Sequence, residues 1–117
     1  MKKEAVLKIC EEKKINVIIA DTFMKRFLGL MGRKESNYAL LLSPCNSVHT
    51  CFMRFQLDLL FLDGDNRIIE KRQAVKPWRG TKIIGKAHSV LEFPSSLQLI
   101  NSFSIGMKVD IYAVSQQ

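Results

Sequence analysis

The stretch PCNSVHTCFMRFQLDLLFLDGD, residues 44–65, gathers most of the side chains in this sequence that could do chemistry. Cys45, His49 and Cys51 follow a C-x3-H-x-C spacing. Thiolate and imidazole are the soft ligands that suit zinc, but a structural zinc site takes four of them in tetrahedral array. Only Cys10 or His88 could complete such a set, and the C-x2-C pair of the common zinc modules is missing. Core cysteines beside a hydrogen-bonded histidine are the preferred reading, so neither a metal nor a cofactor is assigned. A Cys51–His49 nucleophile is a further reading, since residues two apart on a strand point the same way. No nearby residues resemble an oxyanion hole.

Asp58 raises a different question, because it interrupts an apolar run of phenylalanine, leucine and methionine. Strand alternation puts Met53, Phe55, Leu57, Leu59 and Phe61 on one face. Phe52, Arg54, Gln56, Asp58, Leu60 and Leu62 then share the other, where Arg54 could pair with the carboxylate. A buried carboxylate needs a cation or several donors. The preferred reading is a structural carboxylate of that kind, and the enzymatic alternative is an acid–base pair of Asp58 and His49.

The third cluster is EKRQAVKPWRGTKIIGK, a basic loop centred on residues 76–86 with Trp78 and Arg79 at its middle. Cations interleaved with an indole can bind phosphate and stack on a base. The competing reading is a solvated loop whose Trp78 folds onto the sheet. Together these clusters nominate His49, Arg54, Asp58, Trp78 and Arg79 as candidate ligand-binding residues. No P-loop, G-x-G-x-x-G, H-E-x-x-H or G-x-S-x-G is present. The reading favours a non-enzymatic module that binds a protein or small molecule, ahead of an enzyme or a weak nucleic-acid binder using the basic loop.

The elements that must position these residues can be read from periodicity. The chain has 117 residues, 47% apolar and 25% charged, with a net charge of +7, which predicts one globular domain over 1–117 with a basic surface. KEAVLKIC and KINVIIAD read as a hairpin. FMKRFLGLMGR, capped by Asp21 and Thr22, reads as a helix. YALLLSP is a short strand, and residues 51–62 and 67–75 should pair about the DGDN turn. AHSVLEF reads as a strand, SSLQLINSF as a second short helix, and SIGMKVDIYAV as a final strand. This predicts an α+β fold: a mainly antiparallel, barrel-like sheet of six to eight short strands with two short helices. The basic N-terminus lacks the apolar run of an export signal, no stretch is long enough to span a membrane, and the three cysteines fit a reducing compartment. A cytoplasmic protein is the expectation.

Three ordered motifs resemble domain-of-unknown-function family 192. ADTFMKRFLGLMGR is similar to its A-x-T-x-x-x-R-x-x-G-L-M opening, and FMRFQLDLLFLD to its F-M-x-x-x-x-D-x-x-F-x-D strand. VKPWRGTKIIGKAHSVLEFP is similar to its P-W and A-x-x-V-L-E-x-P segments. The resemblance runs from about Ala20 to Asp110. Ser95-Ser96 replaces the family's usual Ala-Gly, and Gly106-Met107 its usual Gly-Asp. Many members carry an export signal or anchor, a feature the resemblance does not transfer here. It implies almost nothing about activity.

Overall fold

A computed structural model describes residues 3–21 and 37–113. The seven strands are β1 (Lys3–Cys10), β2 (Lys13–Ala20), β3 (Ala39–Leu42), β4 (Leu57–Leu62), β5 (Ile68–Val75), β6 (Ser89–Pro94) and β7 (Asp110–Ala113). They form one sheet in the order β5-β4-β6-β3-β2-β1-β7. Every neighbouring pair is antiparallel except β2 and β3, which run parallel.

All six residues of β4 and all six of β6 are buried, so these two neighbouring strands, second and third in the order, are covered on both faces. On one face Leu60, Leu62, Leu91 and Phe93 join Leu7 and Val17, and Leu99, Ile100 and Phe103 cover them. On the other, Leu57, Leu59, Phe61, Leu40 and Val90 pack under Val48, Met53, Ile84 and Ala87. Those covering residues come from two crossovers, 43–56 between β3 and β4 and 76–88 between β5 and β6. Each crossover must pass over the sheet because it joins strands that do not pair with each other.

This arrangement corrects the expected α+β barrel. The sheet is mixed and open, with β5 and β7 as its edges. It curls far enough for Ile68 N–H to donate to the Met107 carbonyl and Val109 N–H to that of Asn66, both at 2.9 Å. Beyond that contact no ladder joins β5 to β7, because the four residues of β7 pair with β1 instead. The two expected helices are not found among the described residues. The one expected over 23–33 lies outside them. In place of the other stand two three-residue 3-10 turns, Ser95–Leu97 and Ile100–Ser102. Between them Gln98 adopts the left-handed conformation (φ 56°), which ends the first turn and brings Leu99 and Ile100 into the core.

The stretch expected as a strand from residue 51 also differs. β4 begins only at Leu57, and Cys51–Phe52 form a turn. The alternation argument that placed Arg54 beside Asp58 therefore does not apply: Arg54 is exposed in a bend ahead of the strand.

The break at Gln98 can be tested by the sign of one substitution. Gln98→Gly should stabilise the protein by about 0.5–1 kcal/mol in urea unfolding, because glycine takes positive φ without steric cost. In a continuous helix the same change would destabilise by a similar amount.

Candidate functional site

The two crossovers run antiparallel over the sheet and are laced together by their backbones. Cys45 N–H donates to the His88 carbonyl at 2.9 Å, Ile84 N–H to Asn46 at 2.9 Å, and Thr81 N–H to Val48 at 2.9 Å. Thr50 N–H donates to the Arg79 carbonyl at 2.8 Å, and Trp78 N–H to that of Thr50 at 3.0 Å. His49 and Gly80 form an isolated bridge in the same run.

Thr50 is the hub of this lacing. It is fully buried, and its hydroxyl donates to the Lys76 carbonyl at 2.7 Å while accepting from Arg79 N–H at 2.8 Å. A second hydroxyl, Thr81 Oγ1, accepts from Val48 N–H at 2.9 Å. Crossover backbone cannot join a ladder, so these side chains satisfy donors and acceptors that would otherwise be orphaned under cover.

Above the hub stand Phe52 and Trp78. Both take the left-handed backbone conformation (φ 63° each), at a cost of roughly 1–2 kcal/mol per residue. Their rings meet edge-on, with centroids 4.6 Å apart and planes at 60°. Yet the residues remain 57% and 58% exposed. Two large rings are thus left in water on strained backbone, where folding onto the sheet would have covered them. The sequence expectation that Trp78 folds onto the sheet is not met.

The nominated residues divide. His49, Trp78 and Arg79 come together along the laced crossovers, and exposed Arg54 follows Phe52 by two residues. Asp58 does not join them. It lies on β4 between Leu57 and Leu59, so its side chain belongs to the face away from the crossovers. Two residues of β5, Gln73 and Ala74, stand opposite it in a bulge. Its Oδ1 accepts from Ala74 N–H and from Ser95 Oγ, both at 2.7 Å. Both donors are neutral, so the carboxylate satisfies backbone displaced from the ladder and ties β4 to the first 3-10 turn. The sheet stands between Asp58 and His49.

Cys45, His49 and Cys51 are not assembled as a metal site, and among the described residues no three His, Cys, Asp or Glu side chains are. The lacing explains this: Cys45 sits against His88 at one end, while Cys51 follows Thr50 toward the other. Cys45 Sγ donates to the Ser47 carbonyl at 3.0 Å, and His49 Nδ1 accepts from Cys51 N–H at 3.3 Å.

One buried group escaped the sequence reading. Glu92 on β6 is 3% exposed and lies between Leu40 and Leu59 in the register. Removal from water pushes its carboxyl up to about 8 from an ordinary 4.5. It is therefore largely a neutral acid at pH 7. The signal was its position in SVLEFP, a run otherwise free of charge.

Residues 5–111 match the family model DUF192, described as Uncharacterized ACR. The chain belongs to this family. A UPF0127 protein of Thermococcus sibiricus is 36% identical over 100 residues, covering 80% of this chain and 64% of that protein. A UPF0127 protein of Pyrococcus furiosus is 32% identical over 105 residues, covering 86% of this chain and 90% of the relative. The chain thus spans under two thirds of the first relative's length and most of the second's. The fold matches a crystal structure of a Novosphingobium aromaticivorans protein of unknown function, with a TM-score of 0.74 and 18% identity over 93% of this chain and 84% of that one. It also matches a Sinorhizobium meliloti protein provisionally described as a transcription regulator, at TM-score 0.72 and 19% identity over 97% and 94%. At these identities the likeness is one of fold. The motif positions through which the chain resembles DUF192 include Phe52, Asp58, Trp78 and Glu92. In the fold they become the paired rings, the bulge acceptor and the buried acid.

Two outcomes test this geometry. Thr50→Val keeps the shape but orphans Arg79 N–H and the Lys76 carbonyl, so it should cost about 1–3 kcal/mol in denaturant unfolding. Glu92 holds its proton more tightly folded than unfolded, so its contribution to stability is full below 4.5 and is lost as pH rises through about 8. Glu92→Gln should remove a decline on the order of a few kcal/mol between those pH values, read as the difference between unfolding curves of the two proteins.

Proposed function

We propose that this DUF192 chain is a non-enzymatic binding module whose contact surface is the outer side of the two laced crossovers. The observation that carries this reading is the Phe52–Trp78 pair, two rings in contact with each other and more than half exposed, on left-handed backbone. Strain held at exposed positions is a mark of functional sites, and Trp is enriched among residues that dominate interfaces. Within the module, Trp78, Arg79, Arg54 and His49 supply the contacts, and Asp58 acts from beneath as part of the frame.

The paired rings are exposed side by side. An exposed pair of rings supports a macromolecular partner over a small molecule, which needs a concave site. The enzymatic alternative draws no support from the placement of Asp58 and His49 on opposite sides of the sheet.

Trp78→Asn tests the reading. Asparagine tolerates the left-handed conformation, so the melting temperature should hold or rise while partner capture from a native extract is lost. A partner retained equally by the wild type and the variant would remove Trp78 from the contact surface.

A further inference from the structure

The partner's chemistry can be narrowed from the charge around the rings, on the basis that the crossover surface is the binding surface. Residues 44–56 and 76–88 contain no aspartate or glutamate. They carry Arg54, Lys76, Arg79, Lys82 and Lys86, every one exposed. The chain's acidic residues all lie elsewhere, many of them in turns on the hairpins, such as Glu11, Glu12, Asp63 and Asp65. A surface with cations and no carboxylates faces a partner of negative charge.

We propose that this partner is an anionic lipid surface, into whose headgroup region the Phe52 and Trp78 rings insert while the crossover cations meet the lipid phosphates and carboxylates. Three observations converge on a bilayer. An indole is stable at the headgroup level, where one side is wet and the other apolar, and a phenyl ring beside it reaches the acyl boundary. The rings are exposed and already paired, so insertion needs no rearrangement of the backbone that lacing holds. The cations are spread along both crossovers, an arrangement that suits a diffuse negative surface more than a single anionic group. Ile83, 73% exposed on the crossover that carries Trp78, adds a third apolar side chain. The attachment is peripheral: no helix among the described residues is long and apolar enough to cross a membrane.

The chain contains one tryptophan, so Trp78 itself reports the event. Vesicles of phosphatidylcholine with about 30 mol% phosphatidylserine should co-sediment with the full chain and shift Trp78 emission to the blue. Pure phosphatidylcholine should bind about tenfold more weakly or less, and salt of about 0.5 M should release the protein. Arg79→Glu with Lys82→Glu should lose vesicle binding while circular dichroism stays unchanged. Phe52→Ser with Trp78→Asn should lose it too, which assigns the rings. Absence of binding to the anionic vesicles overturns the lipid assignment. If polyglutamate or a single-stranded oligonucleotide binds instead, and the ring variant abolishes that binding, the contact surface stands and the partner is an acidic protein or a nucleic acid. Vesicle binding that ignores both ring substitutions overturns the contact surface itself.

Discussion

The hydroxyl of Thr50 is the point on which the crossover face depends. A central sheet buried on both sides requires a cover, and on this side the cover is irregular chain with no ladder of its own. Irregular backbone under cover is stable only where its polar groups are paired. Thr50 pairs the 43–56 crossover with the 76–88 crossover at a fully buried position, using its hydroxyl as donor and acceptor at once. From that one register follow the bridge at His49 and Gly80, the alignment of the flanking hydrogen bonds, and the meeting of two rings from segments 26 residues apart in sequence.

The two carboxyl groups in the fully buried strands β4 and β6 show how differently one functional group can be accommodated. Asp58 is met by two neutral donors, one from a bulge and one from a hydroxyl. Glu92 stands among apolar neighbours and is held instead as a neutral acid. The first ties three elements together, and the second keeps its proton because it is withheld from water. Neither sits where it can touch a molecule bound to the crossover rings: Asp58 faces the other way, and Glu92 is buried.

Local chemistry was legible in the sequence where it acts locally. The hairpin about EEKK, the DGDN turn and the buried runs of β4 and β6 follow from turn residues and apolar clustering. Asp63 Oδ1 accepts from Asp65 and Arg67 N–H, both at 2.9 Å, as an Asx turn should. What could not be read depends on distant partners. Phe52 and Arg54 lie within an apolar run that looks like strand, and only lacing to residues 76–88 shows that Cys51–Phe52 turns. SSLQLINSF carries helical spacing, but Gln98 gives up a continuous helix so that Leu99, Ile100 and Phe103 can fill the face around Phe93. Many short strands point to a barrel-like, mainly antiparallel sheet; the parallel pairing of β2 and β3 that makes the sheet mixed is invisible to alternation.

An open sheet presents rows of unpaired amides at its two rims, and such rims invite a second copy of the chain to add a strand. Here each rim is a poor template. β7 offers four residues among those described. β5 is longer, but Lys71 and Arg72 lie at its middle, and the bulge at Gln73–Ala74 interrupts its regular ladder just before its end at Val75. The carboxylate of Asp58 holds that bulge open by taking the amide that a straight strand would point along the ladder. A side chain buried in β4 thus sets the shape of the strand at the rim beside it.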